Sequence, residues 1–138
     1  VAMSERWVLD SSAVLVLLAG ETGSEEIAEM LHQAEQAQAR VMVTWVTMGE
    51  VAHIVETRWR RTQLIQVLGV VESTALELVP ADRDLTLTAA HLKAEQGLAY
   101  VDAFAAALAQ QEEATLVTNV DVFTGLEDIK VHRLGGGA

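Results

Sequence analysis

The sequence contains no cysteine, a single proline, six aromatic residues and only nine basic side chains against twenty acidic ones in 138 residues. Without cysteine there is no disulfide, no thiolate zinc site and no cysteine nucleophile, so any chemistry rests on oxygen and nitrogen groups, and a reducing compartment is expected. The formal net charge of −11 excludes a broad basic surface for nucleic acid, because counterion release requires many lysines and arginines near phosphates. Contact with a polyanion must be local, and a bound cation is one way to invert the local charge. Long apolar runs are missing too. The run at 13–19 is far shorter than the roughly 20 residues of a membrane span, and no basic segment precedes it. Neither signal peptide nor membrane anchor is expected, which makes a cytoplasmic protein the default.

Hydrophobic residues make up 51% of the chain, and charge is spread rather than blocked, as in a folded globular protein. The length suits one compact domain with a real core. Residues 1–134 are read as that domain, and the Gly-rich 135–138 as a flexible tail.

Strand and helix signals alternate. Residues 6–10 read as a strand ending at Asp10, with Ser11 and Ser12 as caps for a helix from Ala13. Ser24, Glu25 and Glu26 open a second, amphipathic helix. Residues 41–46 form a β-rich apolar run, after which Thr47 and Glu50 have capping-box spacing for a helix toward Trp59. Another helix is expected over 61–72, a strand over 76–79 stopped by Pro80, and a helix from Asp82 or Asp84 to Gly97. Residues 101–112 are alanine-rich and helical, and strands at 115–118 and 129–134 complete the chain. The alternation predicts an α/β protein, a sandwich around a mainly parallel sheet, with ligands beyond the carboxyl ends of the strands.

Charge is most informative where it is scarce. The stretches 7–20, 41–55, 96–111 and 114–126 carry four charged residues in total, and all four are acids: Asp10, Glu50, Asp102 and Asp121. An unpaired buried carboxylate costs several kcal/mol or takes up a proton, and no lysine or arginine lies within these stretches. A hard divalent cation, Mg2+ or Mn2+, is the simpler compensation, since it prefers carboxylate oxygen and water and leaves positions open for phosphate. Asp10 and Asp121 are placed at strand ends and Glu50 and Asp102 in early helical turns, so one sheet edge can gather all four. Each acid also has a plainer reading: Asp10 as a helix cap, Glu50 as a capping-box member, Asp121 as a turn residue. Asp102, among Ala99, Tyr100, Val101, Ala103 and Phe104, is the hardest to explain that way.

With these residues in place, 8–134 resembles the PIN-domain nucleases of the VapC-like toxin group. The opening Val8-Leu9-Asp10-Ser11-Ser12 is similar to the family's first acidic strand end, and residues 43–51 to its strand–helix junction bearing an acid. Residues 97–107, with Asp102, resemble the third and most specific signature, and Thr115 to Asn119 with Phe123 and Leu126 resemble the closing motif. The resemblance implies a three-layer α/β/α sandwich and hydrolysis of RNA phosphodiesters with Mg2+ or Mn2+. It makes Asp10, Glu50 and Asp102 metal ligands, Asp121 a fourth acid or outer-sphere partner, and Ser12 and Thr118 orienting groups. The family often places acids where Val120 and Val122 stand, whereas here Asp121 lies between them and Asn119 offers a neutral oxygen. A PIN-like binding module with impaired catalysis is therefore the alternative reading. A cognate antitoxin and a homodimer are the implied partners.

Other signals are weaker. Arg58, Arg60 and Arg61 with Trp59 form the one dense basic cluster, read either as an RNA contact or as a helix end whose cations favour the dipole. Glu50 and His53 have the Glu-x-x-His spacing of di-iron bundles, but such sites need two copies; His53 is expected near a core face. Trp45, Tyr100 and Phe104 are read as core. A haloacid-dehalogenase site requires an acid where Ser12 stands, and a receiver domain requires a lysine at a strand end that is absent. The apolar faces of 13–19 and 64–71 are broad, which points either to helices buried on two sides or to association through a homodimer or partner-helix groove.

Overall fold

The computed structural model describes residues 5–135. Most of the expected tail, residues 136–138, lies outside the described residues. The chain runs β1 (Glu5–Leu9), α1 (Ser11–Ala19), α2 (Ser24–Glu35), β2 (Ala39–Thr44), α3 (Trp45–Arg58), α4 (Arg61–Ser73), β3 (Leu76–Val79), α5 (Arg83–Gln96), α6 (Tyr100–Glu112), β4 (Thr115–Thr118) and β5 (Val131–Arg133). The strands form one sheet in the order β3-β2-β1-β4-β5, and every described pairing is parallel.

Parallel strands joined by helices are covered on both faces, and side chains alternate across the sheet accordingly. Val8, Met42 and Leu116 face a core shared with α5 and α6. Their neighbours Leu9, Val41, Val43 and Val117 face a second core built with α1, α2, α3 and α4. The result is the expected α/β/α sandwich. Alanines 103, 105, 106, 107 and 109 of α6 are buried, so this helix approaches the sheet closely.

The order of strands locates the site. The chain builds outward from β1 through β2 to β3, then returns to the other side of β1 for β4 and β5. The order reverses between β1 and β4, the switch point beyond whose carboxyl ends ligands bind in open α/β sheets. Helices α1 and α3 start at that edge because they follow β1 and β2, and α6 starts there because it runs back to enter β4.

Several local expectations change. Asp10 caps α1, its side chain accepting the Ala13 N–H, and the helix begins at Ser11; a carboxylate at the strand end reaches that donor ahead of the serines. β2 ends at Thr44, whose hydroxyl accepts the Thr47 N–H, so Trp45 and Val46 form the first turn of α3 rather than the end of a strand. Thr47 is thus inside the helix, and Glu50 lies a turn further along instead of in a capping box. Of the two acids expected to start α5, Asp82 is the cap, accepting the Leu85 N–H. The final strand is shortened to Val131–Arg133.

Thr44 and Thr47 are both fully buried, and the Thr44 hydroxyl donates to Thr47 Oγ1 at 2.9 Å while accepting the Thr47 N–H at 2.9 Å. Thr44→Val keeps the volume and removes both bonds, and is expected to destabilise the protein by about 1–2 kcal/mol. Urea denaturation reads this as a lower midpoint at unchanged slope; an unchanged midpoint contradicts the assigned cap.

Candidate active site

Asp10 is 2% exposed and sits at the junction of β1 and α1. Its Oδ1 accepts the Ser12 hydroxyl at 2.7 Å and the Ala13 N–H at 2.8 Å, and its Oδ2 accepts the Thr118 hydroxyl at 2.5 Å. The two hydroxyls are fixed in turn: Ser12 Oγ accepts the Asn119 N–H at 2.8 Å, and Thr118 Oγ1 accepts the Val120 N–H at 3.1 Å. Each hydroxyl has one proton and gives it to Asp10. The Ser12–Thr118 approach of 3.3 Å is then a contact rather than a third bond. A carboxylate offers about four lone-pair directions; three are used, leaving one on Oδ2.

Glu50 is half-buried in α3, and its Oε2 accepts the Ser11 hydroxyl at 2.9 Å. Consecutive serines at the start of α1 therefore hold two different acids. Asp102, in the first turn of α6, takes no hydrogen bond among the described residues, so its oxygens are available to a ligand. Burial pushes its carboxyl up to about 6, and the charges of Asp10 and Glu50 push in the same direction. Burial also raises Asp10, against the Thr118, Ser12 and Ala13 donors that pull it down; the Glu50 charge adds to the rise. Asp10, Glu50 and Asp102 are one electrostatic unit at the carboxyl edge of β1.

Asp121 does not join them. β4 ends at Thr118, whose hydroxyl takes the Val120 N–H and turns the chain, a local bond typical of threonine. Asp121 lies in the following turn, its carbonyl accepting the Thr124 N–H at 3.1 Å. Its carboxylate accepts from Arg133 Nη1, with 73% of the side chain exposed. The placement of Asp121 at a strand end is thereby corrected, and the turn reading describes it. The Asn119 side chain is exposed; its backbone N–H is the part that serves the cluster.

Arg58 closes α3, Arg60 precedes α4, and Arg61 stands 3.8 Å from Glu56 with 83% of its side chain exposed. Arg58 is eight residues past Glu50 on one helix, about 12 Å along its axis, which fits cations at a helix end rather than part of the acid cluster. His53 is exposed, not packed on the core. Trp45 and Tyr100 are 42% and 44% exposed where core positions were expected, while Phe104 is buried. Sequence reading missed Ser11 as the holder of Glu50, Thr44 as a cap, and Arg133 as the partner of Asp121. Only Thr44 had a local signal, its spacing of three from Thr47.

Whether the cluster suits a divalent cation depends on donor chemistry. Among the described residues, no three acidic or imidazole side chains converge into a ready-made metal cage. Mg2+ does not require one: it keeps several waters and uses one or two carboxylates plus substrate phosphate. The unbonded oxygens of Asp102 and the one remaining lone pair on Asp10 Oδ2, with Glu50 beside them, fit such an open site.

The PIN domain family model matches residues 7–124, and the chain belongs to this family of nucleases. No curated protein matches it significantly in sequence. Solved structures share its fold. A chain of VapBC2 from Rickettsia felis, bound to a DNA fragment from its promoter, aligns at TM-score 0.75 with 18% identity, over 94% of this chain and 98% of that one. A chain of VapBC-5 from Mycobacterium tuberculosis, of the VapBC family of toxin–antitoxin systems, aligns at 0.60 with 25% identity, over 94% and 98%. VapC20 from Mycobacterium tuberculosis, a toxin that cleaves the sarcin–ricin loop, aligns at 0.67 with 14% identity, over 91% and 98%.

The raised Asp102 carboxyl predicts a pH dependence for the metal-free protein. Its folded value of about 6 exceeds the ordinary 3.8, so the folded state holds this proton more tightly. That stabilisation is complete below about pH 4 and lost as the pH rises through about 6. Two units correspond to about 3 kcal/mol; half-exposure reduces this to about 1 kcal/mol. In the presence of chelator, Asp102→Asn is expected to be more stable than wild type at pH 7 by about 1 kcal/mol, with the gain shrinking toward pH 4. A difference that stays constant across pH 4–7 in urea titrations contradicts the coupling.

Proposed function

We propose that this protein is a Mg2+- or Mn2+-dependent endoribonuclease that acts in the cytoplasm as the toxin of a toxin–antitoxin pair. The observation that carries the reading is the gathering of Asp10, Glu50 and Asp102 at the β1/β4 switch point in a chain of the PIN domain family. A hard divalent cation bound there would lower the pKa of water and neutralise charge developing on a phosphodiester. Asp10 and Asp102 would hold it, with Glu50 beside them. Ser12 and Thr118 keep Asp10 in place, and Ser11 does so for Glu50. The three acids stand together without Asp121, so the altered 119–123 segment leaves this set intact. That observation favours an enzyme over an impaired binding module.

The partner reading rests on a second feature. The two broad apolar faces come together, with Leu17 and Leu18 of α1, Leu31 of α2, and Val67, Val70 and Val71 of α4 lining a groove of about 620 Å3. The structural relatives from Rickettsia felis and Mycobacterium tuberculosis include toxin–antitoxin complexes. An amphipathic helix of a cognate antitoxin, seated with its apolar side in the groove, fits this lining. A homodimer is part of the same proposal. No described helix is long and apolar enough to cross a membrane.

Asp102→Asn is expected to lose cleavage of a mixed RNA pool in Mn2+ by more than about 100-fold, since even outer partners of metal ligands cost about 10–100-fold. Ser12→Ala and Thr118→Val belong in that lower range. Because Asp102→Asn should gain stability, its inactivity is not a folding defect. Wild-type activity in Asp102→Asn refutes the assignment, and a folded wild type that cleaves nothing in Mn2+ restores the binding-module reading.

Val70 is 57% exposed, so Val70→Asp should fold normally. It is expected to escape inhibition by the product of the neighbouring gene while keeping its RNase rate. Undiminished inhibition removes the groove from the partner reading.

A further inference from the structure

Basic side chains are few, and one belongs to the strand next to the residue that grips Asp10. Arg133 closes β5 in register with Thr118, whose hydroxyl holds Asp10. Neighbouring strands lie about 4.8 Å apart, and the Leu134 N–H donates to Thr118 O at 2.8 Å, so the Arg133 backbone is one strand away from the residue that grips the buried acid. Its side chain lines a cleft of about 330 Å3 with Glu21, Thr22 and Asn119, and the Asn119 N–H is the donor to Ser12. Arg6 and Arg40 are engaged elsewhere, with Glu112 and Glu77 from the second residues of their strands.

The Arg133 guanidinium is occupied by Asp121, but weakly: side-chain exposures of 52% and 73% leave the pair in water, where such contacts contribute little. A phosphodiester offers the guanidinium fork the same paired anionic oxygens as a carboxylate. We propose that Arg133 binds a backbone phosphate of single-stranded RNA adjacent to the scissile one, and that Asp121 is a placeholder displaced when RNA enters. This rests on the ribonuclease reading above. It reverses the sign expected of Asp121: a fourth acid assists cleavage, whereas a placeholder competes with substrate.

The test is steady-state cleavage of a fluorescent single-stranded oligoribonucleotide in Mn2+, with binding of the same oligonucleotide measured by anisotropy in an Asp102→Asn background. Arg133→Ala is expected to raise KM and weaken binding by about tenfold, to leave kcat within about twofold, and to reduce the salt slope by about one ion. Arg133→Lys should recover part of the affinity. Asp121→Ala should bind RNA more tightly at the same Mn2+ requirement. Unchanged KM and salt slope in Arg133→Ala overturn the proposal, as does an Asp121→Ala protein that loses kcat and needs more Mn2+. Weakened binding by Arg133→Ala beside an inactive wild type keeps the phosphate site and removes the ribonuclease reading. Equal binding beside an active wild type does the reverse, and a wild type that neither binds nor cleaves removes both.

Discussion

The arrangement depends on one buried carboxylate. Asp10 is out of water at the end of a central strand, and an unpartnered charge there costs several kcal/mol. Its partners come from two places: Ser12 and the Ala13 N–H from α1, and Thr118 from β4. Satisfying this group therefore fixes the β1–α1 turn and pins it to the end of the neighbouring strand, at the point where the strand order reverses. The atoms that complete the fold are also those that orient the acid. Because three of its lone-pair directions are already used, Asp10 can meet a ligand only along the one that remains. The site is thus directional before any ligand arrives.

Around this anchor the fold holds like charges close together. Glu50 is drawn in by Ser11, and Asp102 by the close approach of an alanine-rich helix whose small buried side chains let it lie near the sheet. Neither contact neutralises charge. The strain surfaces at Asp102, the acid without a hydrogen-bond donor among the described residues, whose carboxyl is pushed up to about 6. A structure that only had to be stable would place an apolar or amide side chain there. The two buried cores absorb the cost, leaving a concentration of negative charge that a cation or the positive part of a partner would relieve.

Much of this is legible in the sequence. Apolar runs mark the strands, and the scarcity of charge inside the apolar stretches singles out Asp10, Glu50, Asp102 and Asp121, of which the fold draws the first three together. What was not legible depended on choices between equivalent neighbours or on distant pairing. Thr44 and Thr47 are equivalent cap candidates in the sequence, and it is Thr44 that accepts the Thr47 N–H and starts the helix at Trp45. Asp121 matched the other acids in being isolated, yet Thr118 turns the chain before it. Its partner Arg133 is twelve residues away, joined through strand register that leaves no local trace.

An acidic protein that acts on a polyanion faces long-range repulsion, and a net charge of −11 makes that repulsion general rather than local. Attraction must then come from a few fixed points at short range, where screening matters least. The same reasoning applies to a protein partner. The apolar groove includes Leu17, seven residues from Asp10 along α1, about 10 Å by helical rise. A helix seated there adheres through apolar contact, which is indifferent to the charge of this surface, and lies one short segment from the acids. A basic side chain extended from it would relieve the same repulsion that a cation would relieve, since α1 runs from the acid cluster to the groove and no change of fold would be required.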